Sequence, residues 1–153
     1  MSPAIAYDNL PYYTYDDYVT WEGNWELING TPYAMAPAPY PKHQKIVARI
    51  WRELDSHLEC DNNTNCEVYV SPVDWKVSAD TVVQPDVALF CEETQKQYFS
   101  KTPPIVVEPE SEISDVFKLV NGKYELQKKL TKEEVYEFTL EECRTKVDFS
   151  KLF

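Results

Sequence analysis

Residues 81–91 read TVVQPDVALFC, and this stretch places a Pro-Asp pair directly before the apolar run Val87–Phe90. A strand that is covered on both faces of a sheet has apolar residues at every position instead of every second one. The run therefore predicts a central, buried β-strand, which we take as Thr81–Cys91. The same pattern places Asp86 beside the apolar part of that strand.

A second buried strand is predicted at Ile105–Val107, which is short, apolar and β-branched. Glu108 follows it, so neighbouring strands would bring the carboxylates of Asp86 and Glu108 to one rim of the sheet. Two close carboxylates raise each other's pKa unless a cation lies between them. Mg²⁺ prefers oxygen ligands, so the pair predicts a magnesium site. The alternative is that Asp86 caps a turn and Glu108 is solvated beyond the strand end.

The period of the apolar residues becomes helical from Lys42 to Leu58. One face carries an apolar stripe with a histidine at each end, formed by His43, Val47, Ile50, Leu54 and His57. A second stripe is basic and is formed by Lys42, Lys45, Arg49 and Arg52. The basic stripe is either a contact surface for a phosphate backbone or a solvated helix face. A lone histidine on an apolar stripe, such as His43, is more often a hydrogen-bonded core residue than a catalyst.

Two Asn-Gly turns predict hairpins, since this dipeptide adopts the backbone conformation of tight hairpin turns. The first joins Asn24–Ile28 to Thr31–Ala36, and the second joins Ile113–Val120 to Lys123–Leu130. In the first hairpin, Glu26 is predicted on the opposite face of its strand from Trp25 and Leu27. It is a surface residue by itself, but it could join Asp86 and Glu108 as a further acidic ligand.

Further strands are predicted at Glu67–Val70, Val73–Val77 and Val135–Leu140, with a polar loop at Thr94–Pro104 and a short tail at Val147–Phe153. The 153 residues are sufficient for one domain, 1–153. The fold class is therefore predicted as α/β, bordering on α+β. A mixed β-sheet is flanked by helices, with β-hairpins near both ends of the chain.

The chain carries 15 Lys and Arg against 26 Asp and Glu, a net charge of −11. This balance argues against a generic nucleic-acid coat protein, which needs excess cations. It leaves open an enzyme with a local basic face and metal ions at an acidic centre. No apolar run has the length of a membrane span, and the first residues lack the pattern of a secretory signal. A cytoplasmic protein without membrane association is therefore expected.

The four cysteines are Cys60, Cys66, Cys91 and Cys143. An even count permits disulfides, but nothing in the sequence indicates secretion. The chain has no CxxC pair, so a structural zinc site is not expected. Buried or half-buried thiols are the favoured interpretation.

Several short motifs, in this order, resemble those of the Uma-type restriction endonuclease family in the PD-(D/E)XK nuclease superfamily. The matching segments are Tyr15–Leu27 with Ile28-Asn29-Gly30, Met35-Ala36-Pro37, His43-Gln44, Val83-Gln84-Pro85-Asp86-Val87 and Pro104–Glu108. The resemblance implies a restriction-endonuclease-like core that cleaves DNA phosphodiesters with Mg²⁺ or Mn²⁺. It implies metal ligation by Asp86 and Glu108, and it places Glu26 and His43 among the catalytic residues. Such nucleases are often homodimers.

The sequence departs from the superfamily pattern after Glu108. The lysine expected two positions later is replaced by Glu110, and a helix and a strand of the family are missing between Glu108 and Pro109. Either residues are omitted at this point or the deletion is real, and we favour omission. A Cα separation well above 3.80 Å would show a break. A real deletion favours the alternative function, a catalytically degenerate nuclease fold that serves as a binding or assembly module.

Overall fold

The computed structural model describes residues 10–35, 40–61, 64–92, 96–110, 113–120, 123–130, 135–140 and 142–152. Its α-helices are α1 (Tyr15–Tyr18) and α2 (Pro41–His57). Its strands are β1 (Trp25–Ile28), β2 (Thr31–Ala34), β3 (Glu59–Cys60), β4 (Glu67–Val70), β5 (Asp74–Ser78), β6 (Thr81–Val83), β7 (Val87–Phe90), β8 (Tyr98–Phe99), β9 (Ile105–Glu110), β10 (Ile113–Val120), β11 (Lys123–Leu130), β12 (Val135–Thr139) and β13 (Cys143–Asp148). A 3₁₀ turn at Phe149–Lys151 follows β13.

These strands form three sheets, in the orders β2-β1-β6-β5-β8, β11-β10-β9-β7-β4 and β12-β13-β3. Among the described pairings, β5 pairs with β8 in parallel and the others are antiparallel. Long antiparallel pairing with α2 against the strands makes the chain a mixed α+β protein. This confirms the predicted fold class, and β1 with β2 and β10 with β11 pair antiparallel as the two hairpins require. The predicted Asn121-Gly122 turn itself lies outside the described residues.

The predicted central strand is confirmed at β7, whose four residues are all buried between β9 and β4. Val87 and Leu89 join the core beneath α2, whereas Ala88 and Phe90 pack with Phe99 on the other face. Burial on both faces explains why the run lacks polar residues. One core thus lies on each side of this strand.

The prediction of a single strand over Thr81–Cys91 is wrong, since β6 and β7 belong to different sheets. The break falls at Gln84–Asp86, where Pro85 cannot donate a backbone hydrogen bond to a ladder. Three further strands were not predicted. They are β8, which lies within the expected loop and pairs with β5, and β3 and β13, which pair with each other. β13 also pairs with β12 and ends inside the expected tail.

Helix α2 lies close to its predicted range and begins with Pro41, a favoured residue in the first turn. Ile46, Val47, Ile50 and Leu54 are buried from it into the main core. The buried Glu53 accepts a hydrogen bond from the Asp148 amide at 3.3 Å, which ties the helix to the end of β13. No helix in the described part of the chain has the length and apolar character needed to cross a membrane.

The first predicted hairpin forms with Asn29 at φ 49° and Gly30 at φ 77°. A Cβ on Gly30 would collide with the Tyr12 ring, whose hydroxyl donates a 2.5 Å hydrogen bond to Asp80. Gly30 is therefore required both by its backbone conformation and by this close approach.

Gly30→Ala is expected to lower the free energy of unfolding by more than about 2 kcal/mol, because a left-handed backbone penalty of about 1 kcal/mol adds to displacement of the Tyr12 ring. Gly23→Ala is the matched control, since Gly23 has φ 88° but its nearest neighbour would lie 3.8 Å from the new Cβ. Urea denaturation of both variants measures the difference. Equal losses would show that the Tyr12 contact contributes nothing.

The expectation of free thiols is wrong: Cys60 bonds to Cys143 and Cys66 bonds to Cys91. Cys60 and Cys143 are register partners on β3 and β13. Cys66 precedes β4 and Cys91 follows β7, and the adjoining residues Glu67 and Phe90 are partners. The pairing depends on strand registers that link distant parts of the chain, so the spacing of the cysteines could not reveal it.

β9 runs through Glu108 and Pro109 without interruption. The register partners of these two residues, Asp115 and Ser114, are also consecutive. The chain thus continues directly into the hairpin of β10 and β11. The pairing of β9 does not test whether a helix and a strand of the family are omitted after Glu108. That omission therefore stays a prediction.

Candidate active site

Asp86 and Glu108 lie at one rim of the central sheet. β7 and β9 are antiparallel neighbours with Val87 opposite Val107, so the residue before β7 meets the residue after Val107. The Asp86 amide donates a hydrogen bond to Glu108 Oε1 at 3.1 Å. The two carboxylates expected to converge are therefore brought together by the strand register.

The Glu108 carboxyl is strongly affected by its surroundings. Burial raises its pKa to about 8, and the negative charge of Asp86 and a hydrogen bond with its side chain act in the same direction. The hydrogen bond from the Asp86 backbone amide opposes this shift, and the negative charge of Glu26 adds to it. A buried carboxyl that faces a second carboxylate holds its proton near neutral pH unless a cation compensates.

His43 projects from the first turn of α2 toward Asp86, with Nε2 3.3 Å from Asp86 Oδ2. Both side chains are partly exposed, at 30% and 26%. His43 Nδ1 is buried and has no hydrogen-bond partner among the described residues. The structure thus places the histidine against the acidic rim, and the interpretation as a fully hydrogen-bonded core histidine does not hold for Nδ1.

Glu26 reaches the rim from β1, in a different sheet. Its Oε1 accepts a hydrogen bond from the Gln84 amide at 2.8 Å. Glu26 and Glu108 line the same cavity of about 430 Å³, together with Trp75, Val83, Gln84, Pro85 and Val106. All four predicted residues, Glu26, His43, Asp86 and Glu108, therefore lie around one region of the molecule.

Gln84 and Tyr18 belong to the same network and were not predicted. The Gln84 side chain donates a hydrogen bond to Asp74 Oδ1 at 2.8 Å, and the Gln84 backbone amide donates one to Glu26 Oε1. The Tyr18 hydroxyl lies 2.9 Å from the same Asp74 oxygen, and burial together with Asp74 raises its pKa. The only sequence signal for Gln84 is its place directly before Pro85-Asp86. Nothing in the sequence distinguishes Tyr18 from the chain's other tyrosines.

No lysine of the described residues lines the cavity that Glu26 and Glu108 share. Glu110 occupies the position two residues after Glu108 in β9. Lys76 is engaged elsewhere, with its Nζ 4.3 Å from the centre of the Tyr15 ring. The described cavity lining therefore supplies no cation to the acidic rim.

The basic stripe on α2 is only partly free for a ligand. Lys42, Lys45 and Arg52 are exposed, whereas Arg49 donates a 2.9 Å hydrogen bond to the carbonyl oxygen of Leu152. Lys42 is adjacent in sequence to His43, so the stripe begins beside the acidic rim. Three exposed cations thus extend from the candidate site along the helix.

The comparisons with known proteins give one family match. The family model Uma2, described as "Putative restriction endonuclease", matches residues 14–111. These residues span α1 to the end of β9 and include Glu26, His43, Asp86 and Glu108. No curated protein matches the chain.

Proposed function

Since the chain belongs to the Uma2 family, we propose that it is a DNA endonuclease that hydrolyses phosphodiester bonds with a divalent cation, Mg²⁺ or Mn²⁺. The observation that supports this most is the convergence of Asp86 and Glu108, joined by the 3.1 Å hydrogen bond. The raised pKa of Glu108 adds to it, because perturbed carboxyls in a cavity are typical of functional sites.

The donor set fits a hard cation. Asp86, Glu108 and Glu26 offer carboxylate oxygens, the ligand type of Mg²⁺ and Mn²⁺. We assign metal ligation to Asp86 and Glu108, with Glu26 beside them. A divalent cation at this position would polarise a scissile phosphate and lower the pKa of a bound water. It would also offset the repulsion that raises the pKa of Glu108.

The surrounding side chains hold the carboxylates in place. His43 contacts Asp86 Oδ2, and the Gln84 amide fixes Glu26 Oε1. The Gln84 side chain is held in turn by Asp74, which also contacts Tyr18. Hydrogen bonds of this kind orient metal ligands and reduce the reorganisation needed for catalysis. We therefore propose that His43 and Gln84 position the acidic residues.

DNA would approach along the basic stripe. Lys42 and Lys45 are exposed and begin beside His43, and phosphate contacts supply most of the sequence-independent affinity of DNA-binding proteins. The net charge of −11 makes such a local cationic surface necessary for contact with a polyanion.

The double variant Lys42→Gln/Lys45→Gln is expected to bind DNA more weakly and to lower the slope of log K against log salt by about 0.9 for each phosphate that the protein no longer neutralises. Fluorescence anisotropy with a labelled duplex over a salt series measures both quantities. Lys146→Gln/Lys151→Gln removes the same charge from two exposed lysines outside α2 and serves as the control. An equal effect in both variants would point to net charge instead of a binding stripe.

Conversion of supercoiled plasmid to nicked or linear DNA tests the activity itself. Cleavage with Mg²⁺ or Mn²⁺ that stops on chelation is the expected result. Calorimetric titration of the protein with the same cations provides a second readout, independent of DNA. Absence of both cleavage and cation binding at neutral pH would overturn the proposal.

Glu110 in place of the expected lysine favours a second candidate, a catalytically degenerate nuclease fold that acts as a binding or assembly module. Without that lysine the attacking water loses a group that orients it in the superfamily. DNA binding without cleavage would support this candidate. The homodimer, the cytoplasmic location and the single domain 1–153 stay predictions.

A further inference from the structure

The four cysteines of the chain come together at the opposite end of β7 from the acidic rim. Asp86 precedes this strand and Cys91 follows it, so about 16 Å of extended chain separates the two ends. Cys66 and Cys91 flank the pairing of β4 with β7 in a five-stranded sheet, whereas Cys60 and Cys143 join β3 to β13 in the three-stranded sheet. The sulfurs thus come from two separate sheets.

The two bonded pairs also lie against each other. The Sγ atoms of Cys60, Cys66 and Cys143 are all within 4.8 Å of one another, and Cys91 Sγ is bonded to Cys66 Sγ. A tetrahedral zinc site with Zn–S bonds of about 2.3 Å places its sulfurs about 3.8 Å apart. Two independent disulfides do not require their pairs to approach one another, but a shared metal does.

We propose that the reduced chain binds one Zn²⁺ through the thiolates of Cys60, Cys66, Cys91 and Cys143. The disulfide-bonded chain and the zinc-bound chain are then two states of one four-sulfur site. A dithiol reductant supplies two electrons and two protons to each disulfide, giving four thiols, and is itself oxidised to a disulfide. Zinc binding forms four Zn–S bonds and releases four protons to solvent.

The surroundings of the sulfurs suit a structural metal. Cys66 and Cys143 are 6% and 4% exposed and belong to the main core. The Asp61 amide donates to the Glu142 carbonyl oxygen at 2.9 Å, and the Leu140 amide donates to that of Cys143 at 2.8 Å. These backbone bonds hold the segments that carry Cys60 and Cys143 without any contribution from the metal.

An entry path is present on the side of Cys60 and Cys143. Both line a cavity of about 280 Å³ whose walls also carry Glu59, Asp61, Glu142 and Arg144, and Arg144 is paired with Glu59. With Glu59 paired to Arg144, the carboxylates of Asp61 and Glu142 leave the walls with an excess of negative charge, which attracts a divalent cation. Cys91 is exposed and accessible to a reductant. A zinc ion there would join the three-stranded sheet to the central sheet, as the disulfides join strands within each of them.

Cobalt and zinc titrations of the full chain test the site. The protein is reduced with dithiothreitol, separated from reductant and metal, and titrated with Co²⁺. One equivalent is expected to produce the visible bands of tetrahedral cobalt together with thiolate-to-cobalt charge transfer. Zn²⁺ should abolish these bands, and elemental analysis should give one zinc per chain. A reduced wild-type chain that produces no thiolate-to-cobalt charge transfer would overturn the proposal.

Cys60→Ser/Cys143→Ser removes two ligands and is expected to weaken cobalt binding by more than about 100-fold, beyond the usual effect of losing an outer hydrogen-bond partner. Asp86→Ala should leave the cobalt spectrum unchanged, because it alters only the acidic rim. Retention of the charge-transfer band in the cysteine variant would contradict the proposal. Since this band reports sulfur ligation alone, its outcome is independent of whether the chain cleaves DNA.

Discussion

Asp86→Ala is expected to abolish divalent-dependent DNA cleavage, lowering the rate by at least about 100-fold. Loss of a residue that only hydrogen-bonds to a metal ligand lowers metal affinity or activity by about 10–100-fold, and this change would remove a ligand itself. Glu108→Ala should have the same effect, since the two carboxylates face one another across β7 and β9. The initial rate of plasmid nicking with saturating Mg²⁺ measures the loss.

Asp55→Ala is the matched control, because Asp55 is an exposed carboxylate on α2 that does not line the cavity shared by Glu26 and Glu108. Asp86→Asn keeps the size of the side chain and serves if the alanine variant fails to fold. Cleavage that survives both Asp86→Ala and Glu108→Ala would show that the metal ligands are wrongly assigned. Loss of cleavage in Asp55→Ala as well would indicate a general loss of structure.

Glu108 is expected to make the cation-free protein less stable as the pH rises. Its pKa is raised from 4.5 to about 8 in the folded chain. Between these values the folded chain holds a proton that the unfolded chain has released, so deprotonation favours unfolding. Each pH unit in this interval lowers the free energy of unfolding by up to about 1.4 kcal/mol. The stability that protonated Glu108 contributes to the folded chain is fully present below about pH 4.5 and is lost as the pH rises past about 8.

Urea denaturation in the presence of a chelator, at several values from about pH 5 to about pH 8, measures this dependence. Glu108→Gln is the control, because glutamine has nearly the same shape but does not titrate. The difference between the two proteins isolates Glu108 from the other titrating groups. Parallel curves would show that Glu108 is charged at neutral pH in the folded chain.

Mg²⁺ should reverse the effect, since a ligand that binds only the folded state stabilises it by mass action. At about pH 8 the wild type is expected to gain stability with added Mg²⁺, and Glu108→Gln to gain much less. An equal gain in both proteins would place the cation elsewhere. This measurement needs no DNA, so it separates cation binding from catalysis.

Local patterns predict the secondary structure well where one short segment decides it. Asn29-Gly30 adopts positive φ angles and turns the first hairpin, and the helical period of residues 42–58 matches α2. Both signals act over a few residues, through backbone conformational preference and through the alternation of apolar side chains. The buried run Val87–Phe90 is recognisable for the same reason.

The candidate site is predicted in part. The positions of Asp86 and Glu108 beside buried strands indicate that they could meet, and the structure brings them within one hydrogen bond. The contribution of Gln84 is not visible in the sequence, because it depends on the distances to Glu26 and Asp74 on other strands. The roles of these residues in catalysis stay predictions.

The first hairpin, helix α2 and the buried run Val87–Phe90 follow from local sequence patterns, and so does the placement of two carboxylates beside buried strands. That residues 81–91 divide between two sheets, and that Cys60 meets Cys143 while Cys66 meets Cys91, depends on tertiary packing. Turn and helix preferences arise from neighbouring residues along the chain. Strand register is decided by how distant segments pack together, and a shift of one residue would move every side chain to the opposite face.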